Sequence, residues 1–527
     1  MSAILSADDL NDFISPGLAC IQPVEKLPPI KEGKAKPPGS ELGEAEDPEV
    51  SIESDHSTLK PAQISLADCL ACSGCITSAE EVLVAQHSHE QLRSVLEKNE
   101  HIFVASISHQ TRASLAHAYG RPVSDMDKLI VAFFRRLGFK YVVGTAVGRK
   151  LSMVQEAQRI LREKDTNSLK GPILSSVCPG WVLYAEKTHP HVLPYMSPVK
   201  SPQQITGCIL KTLSAEELAV PREKIYHVAV MPCFDKKLEA ARPEADESLL
   251  GPDVDCVITA KELVSLAEAM GHLIVEISES DDKKNLKLKS EQDDMVDCNS
   301  KDDSSSLYRL CAPSRFPFAE LSWANDLGSE SGGWAHNYLR LAQQHFISKN
   351  SDTYQAADFS IACVGGRNSD VYEWRLTHGG STLASAAVVN GFRNIQNLVR
   401  RLKTSKTPLV RRRRKRTEAE ESAEDSADPA RCDYVEIMAC PGGCINGGGQ
   451  ISAPQPTQEK EWLTEVRAAY ADINTVDLVS TPELIQRLID ASKKFEQDVS
   501  PQRLFQTQFH EVEKPTDPNA VLLGAKW

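Results

Sequence analysis

From His101 onward the chain alternates between short apolar runs and longer stretches with helical spacing. "HIFVASIS" has the length and composition of a strand, and "MDKLIVAFFRRLGF" after it carries apolar residues at the helix period. "KYVVGTAV" with "LSMVQEAQRILREK", and "GPILSSV" with "PQQITGCILKTLSAEEL", repeat the pair. "KIYHVAVM", "DVDCVIT" and "AKELVSLAEAMG" continue it, and "DYVEIMA" reads as one more strand further on. Strand, helix, strand in series predicts an α/β fold of mostly parallel sheets joined by crossover helices. The upstream stretch "EEVLVAQHSHEQLRSVLEK" also has helical spacing, and no internal repeat is evident.

In an open parallel sheet, ligands gather at the carboxyl edge. Three of the expected strands end in cysteine there. Cys178 closes "GPILSSVCPGW", Cys233 closes "YHVAVMPCFDKKLEA", and Cys440 and Cys444 close "YVEIMACPGGC". Pro179 and Pro441 follow two of them and Pro232 precedes a third. Proline fixes a turn and removes a competing N–H donor. The pattern predicts one site built from Cys178, Cys233, Cys440 and Cys444. The plain alternative, cysteine as a small buried hydrophobe, suits one such residue better than four at strand ends. The last loop, "MACPGGCINGGGQ", is also glycine-rich, but no Gly-Lys-Ser/Thr follows, which excludes a P-loop. Its bare backbone fits a loop with low bulk and free N–H groups beside the thiols.

A second group is "CLACSGC", holding Cys69, Cys72 and Cys75, with Gly74 between the last two. This spacing opens the bacterial ferredoxin run, but no fourth cysteine follows closely. The candidate fourth ligand is Cys20, across a Pro-, Glu- and Lys-rich stretch that reads as a flexible linker. A zinc knuckle is the rival; zinc sites usually present two separated pairs, so the tight triplet favours iron–sulfur. A site whose fourth ligand comes from a tail is expected to be the more labile of the two.

The cysteine motifs resemble those of iron-only hydrogenases, which carry TSCCPxW, MPCxxKxxE and ExMACxxGCxxGGGQ. Here the first reads Ser175-Ser176-Val177-Cys178-Pro179-Gly180-Trp181. The second reads Met231-Pro232-Cys233 with Lys236 and Glu239, and the third runs from Glu436 through Met438, Cys440 and Cys444 to Gln450. The start, "MSAILSADDLNDFISPGLACIQP", resembles the cytosolic iron–sulfur protein assembly factors of the hydrogenase-like (nuclear prelamin A recognition factor-like) family.

The resemblance implies an iron-only-hydrogenase-like α/β fold of two lobes, with a small N-terminal iron–sulfur segment. It implies two [4Fe-4S] clusters, one on Cys20, Cys69, Cys72 and Cys75 and one on Cys178, Cys233, Cys440 and Cys444. It also implies a role in passing clusters to apoproteins, between a scaffold complex of P-loop ATPases and a late targeting complex with a β-propeller subunit. Active hydrogenases carry a proton-shuttling cysteine where this chain has Val177, so hydrogen turnover is not expected. The competing functions are a hydrogenase-like oxidoreductase and a zinc-binding structural protein. "GSESGGWAHNYLR", residues 328–340, resembles the hydrogenase loop beside the active-site cofactor, but reads on its own as a glycine-rich helix start. Lys236 and Glu239 read equally well as a solvated helix turn or as residues near the cluster.

The expected organisation is a tail with Cys20 and linker (1–60), a cluster segment (61–100), a first lobe (101–278), a polar insertion (279–306) and a second lobe (307–403). A charged insertion (404–430), a C-terminal part of the same fold (431–510) and a C-terminal tail (511–527) complete it.

Net charge is −14, which argues against nucleic-acid phosphates. No run of 18 apolar residues exists, so no membrane span is expected. The first residues lack a basic n-region, which predicts a cytosolic or nuclear chain with reduced thiols. The run Arg411 to Arg416 reads as a solvated loop, with nuclear import as its sharper reading. Cys208 and Cys256 are expected in the core and Cys298 at the surface. Trp527, at the end of "LLGAKW", is a candidate partner anchor. The 14 histidines lack zinc-enzyme spacing.

Overall fold

The computed structural model describes residues 84–242, 251–272, 274, 304–350, 354–405, 426–477 and 482–512. Cys20, Cys69, Cys72, Cys75, Cys298, Arg411 to Arg416 and Trp527 lie outside them. The strands among the described residues are β1 (Ile102–Ile107), β2 (Tyr141–Gly144), β3 (Ile173–Leu174), β4 (Ile225–Met231), β5 (Cys256–Thr259), β6 (Phe359–Gly365), β7 (Val371–His378), β8 (Ser381–Asn390) and β9 (Tyr434–Met438). The helices that position the site are α1 (His109–Ala118), α2 (Ala146–Asp165), α3 (Pro179–Thr188), α4 (Pro202–Glu217), α5 (Asp235–Ala240), α6 (Ala260–Ala269), α7 (Trp334–Lys349) and α8 (Glu459–Ala471).

Two sheets form, in the orders β2-β1-β4-β5 and β3-β9-β8-β7-β6. The first is parallel throughout. Its strands are buried on both faces, which is why they read as continuous apolar runs. β1 continues to β2 on one side, and β4 to β5 on the other. The order therefore reverses between β1 and β4, the position where open α/β sheets bind ligands. Ser108 N donates to Val230 O at 3.0 Å, tying the ends of β1 and β4 together.

The second sheet is mixed. β3, β9 and β8 run parallel, whereas β8, β7 and β6 pair antiparallel. The turn from β7 to β8 uses Gly379 and Gly380 at φ +55 and +81, as a two-residue hairpin with positive φ at both positions requires.

β3 lies within the 101–278 stretch but pairs with β9, so that stretch does not keep to one sheet. β3 is also shorter than "GPILSSV" suggests: beyond Leu174 the Ser175 hydroxyl, not a carbonyl, accepts from Ile437 N at 3.0 Å. The charged insertion is shorter than 404–430. Ala427 N donates to Gly365 O, and Asp428 N donates to Glu373 at 2.9 Å, so the chain is already anchored to the sheet there. Cys208 and Cys256 are core residues, as expected. No helix among the described residues is long and apolar enough to cross a membrane.

Buried charge is concentrated around α2. Arg149 and Lys150 both pair with Asp326. Further along α2, Glu156 accepts from Ser197 Oγ at 2.6 Å, and burial pushes its carboxyl up to about 7. The folded chain keeps a proton that the unfolded chain releases near the ordinary 4.5. Stability from this group is thus complete below that pH and lost as pH rises through about 7. Glu156→Gln is expected to stabilise the protein at pH 8, by up to about 3 kcal/mol at about 1.4 kcal/mol per pH unit. Urea unfolding at about pH 4, below the ordinary value of 4.5, should show almost no difference between the two chains.

Candidate metal centre

The ends of β3, β4 and β9 face a single cavity, and Cys178, Cys233, Cys440 and Cys444 all line it. It encloses about 700 Å³ of empty space, open mouth included. The two sheets contribute unequally. Cys233 follows β4 of the first sheet, while Cys178 follows β3, and Cys440 and Cys444 follow β9, of the second.

Local sequence fixes each thiol. Cys178 is the N-cap of α3 with Pro179 at the first helical position, and its sulfur accepts from Ala439 N at 3.3 Å. Gly443 N donates to Cys440 O at 3.0 Å, closing a tight turn. Gly443 has φ +83 and its missing side chain leaves room for Ser331 Oγ, which accepts from Cys444 N at 3.0 Å. The sulfurs of Cys444 and Met438 are 3.4 Å apart.

The glycine triplet supplies the contact between sheets. Gly449 N donates to Pro232 O at 3.0 Å, so the β9 loop rests on the residue preceding Cys233. A methyl group on Gly447 would lie 3.0 Å from Pro232 C and closer still to Pro232 O. A methyl on Gly449 would meet Thr259 Cγ2 at 2.5 Å. Bare backbone here brings two sheets' cysteines to one place.

Burial raises the thiols: Cys178 to about 11, Cys444 to about 12, and Cys233 well above its ordinary value. Asp235 adds to this at Cys178 and Cys233, and the other three thiols add further at Cys233. Thiols pushed up by burial in one cavity suit a cationic iron core, which would stabilise thiolate. Among the described residues no three His, Cys, Asp or Glu side chains are placed to share one metal ion. One further observation fits. Trp334 Nε1 is buried without a hydrogen-bond partner, and its residue lines the same cavity. A buried donor of this kind calls for an acceptor inside the cavity.

Val177 also lines the cavity, with its side chain buried. Its carbonyl accepts from Lys236 Nζ at 2.9 Å. Lys236 also pairs with Glu239 at 3.0 Å, and Glu239 accepts from Ser201 Oγ and Gln203 Nε2. The solvated-helix reading of Lys236 and Glu239 is therefore corrected: their side chains are only 11% and 12% exposed. The partners that bury them come from α4 and the end of β3, remote in sequence. The 328–340 loop does begin a helix, α7, but it also lines the cavity through Ser331 and Trp334. Asp235 was missed altogether. Its carboxyl is pushed up to about 6 by burial, and the signal for it was a carboxylate two residues beyond a ligand.

The family model for the iron-only hydrogenase large subunit, C-terminal domain, matches residues 101–448. A variant of FeFe-hydrogenase HydA1 from Chlamydomonas reinhardtii shares the fold at 20% identity and a TM-score of 0.54, covering 80% of this chain and 99% of that one. Fold and cysteine arrangement thus define an iron-only-hydrogenase-like protein. Closer relatives are named cytosolic Fe-S cluster assembly factor NAR1. That of Debaryomyces hansenii is 51% identical over 100% of both chains, and that of Candida albicans 46% over 100% of both. That of Saccharomyces cerevisiae is 38% identical over 88% of this chain and 89% of that one. The chain belongs to this NAR1 family of cytosolic Fe–S cluster assembly factors.

Proposed function

We propose that this protein is an iron–sulfur protein of cytosolic iron–sulfur protein assembly that aids the transfer of [4Fe-4S] clusters to target apoproteins. It is a carrier or adaptor, not a hydrogen-turning enzyme. The observation that carries the reading is the wall of the cavity, where four thiols from three strand ends meet the side chain of Val177. The thiols supply a full ligand set for one [4Fe-4S] cluster. Cys20, Cys69, Cys72 and Cys75 supply the second. When bound, such clusters supply iron and sulfide for transfer and can hold an electron.

The chain's own residues argue against hydrogen chemistry. Val177 has no proton to give. Lys236 lines the cavity too, but its ammonium is engaged by the Val177 carbonyl and Glu239, with no cysteine beside it at position 177 to pass a proton on. The upstream partner is a scaffold complex of P-loop ATPases, and the downstream partner a targeting complex with a β-propeller subunit, which Trp527 helps to engage.

Anaerobic purification with iron and sulfide counts tests this. We expect about eight irons per chain from two four-iron clusters, with no hydrogen evolved from reduced viologen. Hydrogen evolution together with about six irons at the strand-end thiols would overturn the reading, and zinc in place of iron would support the structural alternative. In Cys178→Ala the retained iron sits at the N-terminal site, and in Cys20→Ala at the buried strand ends. A chelator should therefore strip Cys178→Ala faster; the reverse order would show that the strand-end cluster is the one released.

A further inference from the structure

We infer that the indole N–H of Trp334 donates a hydrogen bond to a sulfur of the cluster at the strand ends, and so raises its reduction potential. The inference rests on the cluster reading above and assigns one residue a role within it.

Trp334 is 2% exposed, and its Nε1 has no partner among the described residues. A buried N–H left without an acceptor is destabilising, so an acceptor in the cavity accounts for its retention. Trp181 also packs close to the thiols, but its N–H is spent on Ser175 O at 3.0 Å. Trp323 Nε1 is unpartnered too, but its ring stacks on Tyr308 and does not line the cavity. Gln203 Oε1 is the other unpartnered atom on the lining. It is an acceptor, which thiolate and sulfide cannot satisfy. The donor on Trp334 is thus the polar group whose chemistry matches sulfur.

The ring is held in place by its own loop and by β9. Gly332 and Gly333 turn the chain at φ +146 and +82, and a methyl on Gly332 would overlap the six-membered ring. Glu436, fully buried on β9, accepts from Ala335 N at 2.9 Å and from Ser329 Oγ. The glutamate two residues before Met438 is therefore a positioning residue for Trp334. N–H groups donated to cluster sulfur stabilise the added electron and raise the potential.

The test is pulsed EPR on the reduced full-length protein carrying ¹⁵N-indole tryptophan, repeated in the Cys20→Ala chain to assign the signal to the strand ends. A ¹⁵N coupling is expected in the native chain. Trp334→Phe should abolish it and move the midpoint potential of that cluster to a more negative value. A bound cluster without ¹⁵N coupling, or an unchanged potential in Trp334→Phe with the cluster intact, overturns the contact. Should Trp334→Phe fail to hold a cluster, the coupling in the native chain still decides. Absence of any cluster at these thiols in the native chain would instead overturn the cluster reading itself.

Discussion

Asp326→Ala is expected to cost about 3–5 kcal/mol of folding stability, a large part of what a typical chain possesses. Asp326 is fully buried and is shared by two cations, Arg149 and Lys150, themselves 4% and 1% exposed. Removing the carboxylate leaves both without their ionic partner. Lys150 can respond by losing its proton, and burial already pulls its ammonium down. Arg149 cannot, because guanidinium stays charged. It would retain Asn325 Oδ1 at 3.0 Å and the more distant Tyr470 hydroxyl. The loss should therefore shrink at alkaline pH without vanishing. Urea unfolding of Asp326→Ala and Asp326→Asn at pH 7 and pH 9 would check this. The exposed pair Arg315–Glu216 is the contrast: breaking it should change stability by no more than about 1 kcal/mol.

Gly447→Ala is expected to empty the strand-end site of most of its iron while costing only about 1–3 kcal/mol of stability, as overpacking usually does. The added methyl meets the backbone of Pro232, which cannot rotate away as a side chain could. Relief requires the β9 loop to move off the β4 end, and this separates Cys440 and Cys444 from Cys233. A cluster tolerates such a change poorly because all four thiolates must reach one rigid core. Gly365→Ala is the control, since a methyl there meets nothing within 4 Å. Iron counts on both variants, with their unfolding midpoints, separate loss of the site from loss of the fold.

The parts of this molecule legible in the sequence are those set by local pattern. The crossover alternation was readable because strands buried on both faces are plain apolar runs and helices show their period. The four cysteines were readable because each stands where such a run ends. What was not legible depends on remote partners. Nothing near Ile173 reveals that β3 leaves the first sheet to pair with Tyr434 and Val435. Nothing near Lys236 shows that Val177 O will accept a hydrogen bond from it, so its sequence leaves a solvated turn and a place near the cluster equally open. Trp334 was in view within 328–340, but its importance lies in a donor left without an acceptor, which no spacing records. The β7–β8 hairpin is marked by Gly379-Gly380, a turn signal absent from the alternation read above.

One feature of the second sheet bears on how the protein is made. β3 emerges early in synthesis, but its neighbour β9 is translated much later, and Cys444 later still. A ribosome adding about 5–20 residues per second therefore exposes Cys178 and Cys233 for many seconds before their partner thiols exist. During that interval the pair can offer iron two ligands at most. A cluster held by these thiols, as proposed above, would then enter a finished or nearly finished chain, as a step of maturation and not of nascent folding. A protein that serves other proteins' iron–sulfur supply would depend, for its own completion, on a supply already running.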